Sequence, residues 1–203
     1  MPESSVAIVQ TGVANTASVA AALERCGVRV SKAQTDGDVE RAAYLALPGV
    51  GSFGAGMEAL QRAGLVDALR ARIEAGRPTL AICLGMQLLC SSSEESPGAE
   101  GLGVIDARVE ALSEPVRPRF GWNRVVPDAG CDAIDDGYAY YANSFGVRAQ
   151  PSGWACAMSE LEAPFVGALQ RGSIVACQFH PELSGPWGLG LLKRWMAAEV
   201  AAC

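Results

Sequence analysis

One stretch of the sequence decides the fold, Thr79-Leu-Ala-Ile-Cys-Leu-Gly-Met-Gln-Leu-Leu89. Its first residues are apolar strand formers that end at Cys83, and a segment of helical composition follows Gly85. This order is typical of a nucleophile elbow, a tight strand-to-helix turn that holds a reactive side chain at the top of a sheet. Gly85 would leave room where strand and helix pack closely. At the start of a helix, the Cys83 thiolate would be favoured by free N–H groups and the helix dipole.

Cys83 alone leaves two interpretations open, because a free cysteine in an apolar run is commonly a core residue. The only histidine of the chain, His180, favours the catalytic one and lies in Gln178-Phe-His-Pro-Glu-Leu183. A thiol needs such a base to act as a nucleophile at neutral pH, and a third group usually orients the base. Glu182 would be that group, since residues i and i+2 of an extended segment project to the same side. Pro181 disfavours a helical conformation at His180.

Composition excludes several classes of function. Of the 203 residues 50% are apolar, enough for one substantial core, and the net charge of −6 argues against a nucleic-acid surface. The start, Met1-Pro-Glu-Ser-Ser5, does not resemble a signal peptide, and no apolar stretch is long enough to span a membrane. We therefore predict a cytoplasmic protein without membrane contact. The 7 cysteines include no C-x-x-C pair, so we expect neither a disulfide framework nor a metal site, and no cofactor.

The order of predicted elements indicates an α/β fold. Short apolar runs in the first half predict strands at 6–9, 28–30, 44–47 and 79–82. Helices are predicted after Asn15, which would cap the first one, and over 65–75, where Arg70, Arg72 and Glu74 would face solvent. Such alternation gives a mostly parallel central sheet flanked by helices.

The second half of the chain has a different pattern. The polar stretch 91–100 is interpreted as a loop, and short β-like pieces follow between 105 and 178. They predict an added antiparallel β portion, and a last helix is expected from 186 to about 200. No linker of low complexity divides the chain, so we predict a single domain over 1–203.

Together these motifs resemble those of the class I, triad-type glutamine amidotransferase family. Cys83-Leu-Gly-Met-Gln87 and His180-Pro-Glu182 are similar to its nucleophile and histidine motifs, and Leu47-Pro-Gly-Val-Gly-Ser-Phe-Gly54 is similar to its oxyanion-strand loop. Gly121-Trp-Asn123 and Gln178-Phe-His-Pro-Glu182 resemble the subfamily of glutaminase subunits from histidine biosynthesis. The likeness runs from about residue 6 to the C-terminus.

The resemblance implies a reaction and a role for each motif. Cys83 would attack the side-chain amide carbon of L-glutamine, forming a γ-glutamyl thioester that water hydrolyses to L-glutamate after ammonia has left. His180 would transfer the protons, and Glu182 would orient it. The oxyanion hole would use backbone N–H groups of Leu84 and of the Val50–Gly51 peptide. The expected substrate contacts are Gln87, Asn143, Ser144 and Phe145.

A glutaminase that feeds a synthesis benefits from a partner over its site, because ammonia released into water becomes mostly ammonium. The resemblance implies a separate cyclase subunit with a (β/α)8 barrel, which makes imidazole glycerol phosphate and AICAR from PRFAR. The two subunits would form a heterodimer.

Four positions depart from the family pattern. Asn143 replaces a His, Arg119-Phe120 replaces His-Met, Ala14 replaces a Gly, and Leu183 replaces a Lys that lies near the cyclase contact in the family. Two alternatives therefore stay open. One is a class I glutaminase that feeds a different ammonia acceptor, and the other is a non-catalytic regulatory protein with a cysteine elbow.

Overall fold

A computed structural model describes residues 5–10, 16–112, 119–160 and 163–197, which form twelve strands and six α-helices. The strands are β1 (Ser5–Val9), β2 (Arg29–Ala33), β3 (Tyr44–Gly49), β4 (Thr79–Cys83), β5 (Cys90–Ser93), β6 (Ile105–Ala111), β7 (Arg119–Pro127), β8 (Gly137–Asn143), β9 (Phe145–Gly146), β10 (Ala155–Ser159), β11 (Phe165–Arg171) and β12 (Ile174–Cys177). The helices are α1 (Thr16–Arg25), α2 (Asp36–Arg41), α3 (Phe53–Arg62), α4 (Val66–Glu74), α5 (Leu84–Leu88) and α6 (Gly185–Ala197).

Nine strands form one mixed sheet in the order β2-β1-β3-β4-β12-β11-β10-β7-β8. Neighbouring strands from β2 through β12 run parallel. Those from β12 through β8 run antiparallel. The predicted parallel sheet with an antiparallel portion in the second half is therefore confirmed, and both portions belong to one continuous sheet. Strands β5, β6 and β9 form a small second sheet.

The core lies on both faces of the large sheet. Alternate residues of a strand point to opposite faces, and in β4 Ala81 belongs to one buried cluster while Leu80 and Ile82 belong to the other. The first cluster includes residues of α3, α4 and α5, and the second includes residues of α1 and α6. Helices therefore cover both faces, as predicted. In the part of the chain that the structure describes, no helix is long and apolar enough to cross a membrane.

Arg72 corrects one prediction on α4. We expected its side chain to face solvent, but the residue is only 3% exposed. Its guanidinium donates to the hydroxyl of Thr79 and to the carbonyls of Val39, Ala42, Ala43 and Pro78. Burial, together with the smaller effect of the nearby Arg77 charge, lowers the pKa of Arg72 to about 10. The side chain therefore joins α2 and α4 to the beginnings of β3 and β4.

Other elements differ from the predicted pattern in position or were not predicted. Helices α2 and α3 have no predicted counterpart, and β5 occupies the start of the segment that we interpreted as a loop. The predicted turn at 11–15, with its cap at Asn15 and the departure at Ala14, lies outside the described residues.

Candidate active site

Cys83 lies at the junction of β4 and α5, at the carboxyl end of a central parallel strand. Its φ is 55°, and it is the only non-glycine residue with a positive φ among the described ones. A non-glycine residue held in such a region costs about 1–3 kcal/mol, so the surrounding structure must impose it. The predicted elbow is present, with the cysteine at its apex.

Gly85 and Gly49 explain how the elbow is held. A Cβ atom at residue 85 would lie 1.9 Å from the carbonyl oxygen of Leu47, and one at residue 49 would lie 2.9 Å from the backbone nitrogen of Gly85. Strand β3 and helix α5 therefore pack with no side chain between them at this point. Their contact brings the glycine-rich loop after β3 next to Cys83.

His180 follows β12, the sheet neighbour of β4. Its backbone N–H donates to the carbonyl of Tyr140 at 2.9 Å. The extended segment that we expected ends at His180, since Pro181–Leu183 forms one turn of 3₁₀ helix. Even so, Nδ1 of His180 lies 2.8 Å from Oε1 of Glu182, so the predicted pair is formed.

Ser184 holds this turn in place, a contribution that sequence reasoning missed. Its hydroxyl donates to the carbonyl of His180 at 2.6 Å and accepts from the backbone N–H of Tyr140 at 3.0 Å. The hydroxyl therefore ties the histidine segment to β8, and the imidazole has a defined position over the end of the sheet.

The electrostatics of the site favour a charged imidazole. Burial lowers the pKa of His180, but its hydrogen bonds to Cys83 and Glu182 and the negative charges of those two groups raise it more, to about 10. A base of this kind next to a cysteine sulfur is the arrangement found at reactive cysteines.

The other described cysteines lie in a different environment. Burial raises the pKa of each of their thiols, which belong to Cys26, Cys90, Cys131, Cys156 and Cys177. These thiols are protonated at neutral pH and behave as small apolar core groups.

A cavity of about 500 Å³ opens at this end of the sheet. The structure brings together around it all ten residues predicted for the site, which are Val50, Gly51, Cys83, Leu84, Gln87, Asn143, Ser144, Phe145, His180 and Glu182. Their individual roles stay predictions.

A chain of amide groups lies beneath the cavity. Gln87 is buried on α5, and its Nε2 donates to the carbonyl of Phe145 and to Oε1 of Gln178, both at 3.0 Å. Nε2 of Gln178 in turn lies 3.7 Å from Sγ of Cys83. Asn143 also donates to the Phe145 carbonyl, and its buried Oδ1 has no hydrogen-bond partner among the described residues. No sequence motif predicted a separate role for Gln178.

Glu95 adds a carboxylate to the cavity wall. No sequence motif predicted a role for this residue. Its Oε2 accepts from the backbone N–H of Phe53 at 2.7 Å, at the N-terminus of α3. Anionic groups are stabilised at such a terminus by the free N–H groups and the helix dipole. This hydrogen bond holds the carboxylate beside the loop at 48–52.

The mouth of the cavity is apolar. Val50, Phe120 and Leu183 line it, and all three are exposed. Trp122 and Tyr138, on the neighbouring strands β7 and β8, are exposed as well. Exposed large apolar side chains that cluster in this way mark protein–protein contact surfaces.

Known proteins resemble this chain in sequence over most of its length. A family model described as glutamine amidotransferase class-I matches residues 7–197. The imidazole glycerol phosphate synthase subunit HisH of Escherichia coli K12 is 39% identical over 198 residues, which cover 94% of this chain and 98% of that protein. The chloroplastic imidazole glycerol phosphate synthase hisHF of Arabidopsis thaliana is 37% identical over 210 residues, which cover 98% of this chain. The chain spans only 35% of the length of that plant protein.

The solved structures agree on the fold. A crystal structure of a glutamine amidotransferase superposes with a TM-score of 0.77 at 19% identity, covering 95% of this chain and 97% of the other. At that identity the likeness concerns the fold alone.

Proposed function

Because the chain belongs to the class I glutamine amidotransferase family, we propose that it is the glutaminase subunit of an imidazole glycerol phosphate synthase. It hydrolyses L-glutamine to L-glutamate and supplies the ammonia to a cyclase, which makes imidazole glycerol phosphate and AICAR from PRFAR in histidine biosynthesis. The observation that carries the proposal is the meeting of Cys83, His180 and Glu182 at one cavity. Relatives of 37% and 39% identity that bear the synthase name support the pathway.

Proton transfers follow from the charge state of the site. The Cys83 thiolate attacks the side-chain amide carbon of glutamine, and the imidazolium of His180 gives its proton to the departing ammonia. Neutral His180 then takes a proton from the water that attacks the thioester. Glutamate leaves, and the sulfur is again a thiolate beside an imidazolium. Glu182 keeps the ring oriented and stabilises its positive charge in each step.

Both tetrahedral intermediates carry a negative oxygen that needs donors. The N–H of Leu84 begins α5 and therefore has no partner within the helix. The second donor comes from the Val50–Gly51 peptide, where Gly51 has a φ of 99°. Loss of one such donor typically costs about 3 kcal/mol of barrier.

The cavity also offers groups suited to the amino-acid end of glutamine. The Glu95 carboxylate on the cavity wall is an acceptor for an α-ammonium group, and Asn143 lies on the same wall. Ser144 and Phe145 complete the wall on the β8 side.

The apolar mouth of the cavity supports the proposal that a partner protein binds there. A docked cyclase would bury Phe120, Trp122 and Leu183 and would keep ammonia out of bulk water. We propose that this partner has a (β/α)8 barrel, that the pair is a heterodimer in the cytoplasm, and that residues 1–203 act as one domain. We also propose that hydrolysis stays slow until the partner binds. The peptide at the bulky Val50 must adopt one particular orientation before its N–H can form the oxyanion hole.

The test measures glutamate release from glutamine by the wild type and by Cys83→Ala, each with and without the cyclase and a PRFAR-like ligand. We expect release only by the wild type, and much faster with the cyclase and ligand. Absence of release in every mixture would contradict the glutaminase assignment, and equal rates with and without cyclase would contradict activation. Leu183, in place of the family's lysine, favours a different ammonia acceptor as the second candidate. Release without imidazole glycerol phosphate formation would support it.

A further inference from the structure

The hydrogen bonds around Gln178 determine how its carboxamide is oriented. The carbonyl oxygen of Phe145 can only accept, so the atom of Gln87 that lies 3.0 Å from it is the donor Nε2. The same nitrogen lies 3.0 Å from Gln178, which must present its acceptor Oε1 there. The other end of that carboxamide, Nε2, is therefore the end that faces Cys83. The carbonyl of Phe145 thus determines the orientation of the Gln178 carboxamide through the side chain of Gln87.

Burial makes this orientation consequential. Gln178 is fully buried, and its backbone N–H donates to the carbonyl of Gly167 at 2.8 Å. A buried amide that cannot reach water is costly unless its donors find acceptors in the protein. The acceptor within reach of Nε2 is Sγ of Cys83, at 3.7 Å. Hydrogen bonds to a charged partner are roughly twice as strong as neutral ones, so this contact is worth most when the sulfur is a thiolate.

We propose that Gln178 is a second hydrogen-bond donor to the nucleophile, besides His180, and that it also holds Gln87 against the same site. The inference rests on the proposed function and deepens it, since it assigns one more residue to the glutaminase site. The Nε2 group of Gln178 stabilises the thiolate of Cys83. Its Oε1 atom accepts from Gln87, a predicted substrate contact, and so links the position of that side chain to the position of the sulfur. Gln178 directly follows β12 and precedes His180 by two residues, so one segment supplies both donors.

Two substitutions separate the donor from the acceptor. Gln178→Glu keeps the size of the side chain and an oxygen toward Gln87, but it replaces the donor to sulfur with a carboxylate oxygen. Gln178→Met keeps the length and removes both groups. The readout is the rate of Cys83 alkylation by iodoacetamide as a function of pH, followed by peptide mapping. A purely structural role of Gln178 would not move this titration.

We expect the alkylation midpoint to rise by about one pH unit in Gln178→Met, which corresponds to a tenfold smaller thiolate fraction below the midpoint. In Gln178→Glu the midpoint should rise further. The value of kcat near neutral pH should fall by about tenfold or more, with a smaller change in KM. Gln170→Glu is the matched control, because Gln170 is also a buried glutamine and its carboxamide bonds Ala133 and Gly172 instead. Its midpoint should equal that of the wild type.

A wild-type midpoint in Gln178→Met, with circular dichroism showing that the variant is folded, would overturn the inference. So would a rise in Gln178→Glu alone, because a carboxylate beside the sulfur raises the midpoint by its charge whether or not Gln178 donates. Alkylation needs no glutamine, so the two proposals fail separately. Shifted midpoints in a protein that hydrolyses no glutamine would support the role of Gln178 and contradict the proposed function. Unshifted midpoints in an active glutaminase would contradict the role of Gln178 alone.

Discussion

Nδ1 of His180 lies 2.8 Å from Oε1 of Glu182, and the two side chains are only 11% and 5% exposed. The second carboxylate oxygen, Oε2, is buried without a hydrogen-bond partner among the described residues. Among the described residues, the carboxylate therefore hydrogen-bonds the imidazole alone. Because Nδ1 is occupied by this bond, Nε2 is the ring nitrogen left for the sulfur of Cys83.

Replacing Glu182 by Gln tests this orientation. The amide fits the same space, but it can present a donor to Nδ1 and no longer stabilises a positive ring. We expect a loss of about 10³–10⁴-fold in kcat with folding intact, by analogy with acid-to-amide changes in other triads. Glutamate release in the presence of the cyclase measures it. Glu94→Gln, which removes an exposed pairing with Arg108, should leave the rate unchanged. A Glu182→Gln enzyme with nearly wild-type kcat would show that the pair has no catalytic role.

The raised pKa of His180 makes stability depend on pH. The pKa is about 10 in the folded protein, against 6.5 for an unperturbed histidine. A pKa raised by folding stabilises the protein fully below about pH 6.5, and this contribution is lost as the pH rises toward about 10. The difference in thermal stability between wild type and His180→Gln should therefore shrink steadily over that range. Thermal unfolding in a series of buffers measures it, and a gap that stays constant or widens contradicts the charged pair.

Selective alkylation tests the environment of the nucleophile. A limiting amount of iodoacetamide at neutral pH should modify Cys83 first, because the cavity gives access to its sulfur and the imidazole of His180 lies beside it. Burial raises the pKa of Cys90 and of Cys156 to about 12, so these thiols should stay unmodified in the folded protein. Peptide mapping by mass spectrometry reports the sites. Equal labelling of half-buried Cys26 and Cys83 would be the contrary result.

Gly85→Ala tests the packing that forms the elbow. The new Cβ would lie 1.9 Å from the carbonyl oxygen of Leu47, and a backbone atom cannot move aside as a flexible side chain can. We expect a loss of about 3 kcal/mol or more in the free energy of unfolding, together with loss of activity. Denaturant unfolding measures it. In Gly190→Ala, the nearest atom is the mobile end of Arg194, and the added methyl group favours helix by up to about 1 kcal/mol. Equal stability of the two variants would contradict the account of the elbow.

The elbow and the His180 segment were predictable because their chemistry depends on short-range backbone geometry. Cys83, Gly85, His180 and Glu182 each act within a few residues of a strand end, and the sequence there shows the strand, the turn and the partner. The alternation of strands and helices likewise predicted the parallel half of the sheet.

Two roles could not be predicted because they depend on contacts between distant parts of the chain. Gln178 bonds Gln87, 91 residues away. Arg72 bonds mainly backbone carbonyls, which carry no sequence signature. Both side chains are polar and buried, and each forms its hydrogen bonds with groups inside the protein.

The missed helices have separate reasons. Helix α3 contains Gly54 and Gly56, residues that weaken helices. At Gly56 an added Cβ would lie 3.1 Å from Leu88, so close packing with α5 favours a residue with poor helix propensity. Helix α2 is short, but it had a readable signal, because Thr35 and Asp38 form a capping box.

Hydrolysis of glutamine through Cys83 requires a covalent bond between its sulfur and the γ-glutamyl group, and this bond can be trapped. The enzyme, with its cyclase and a PRFAR-like ligand, is mixed with glutamine, quenched in acid during turnover and mapped by mass spectrometry. The account predicts a γ-glutamyl group on the peptide that contains Cys83, absent from Cys83→Ala and removed by longer incubation after glutamine is exhausted. Glutamate release by the wild type with no adduct on Cys83, or undiminished release by Cys83→Ala, would contradict it.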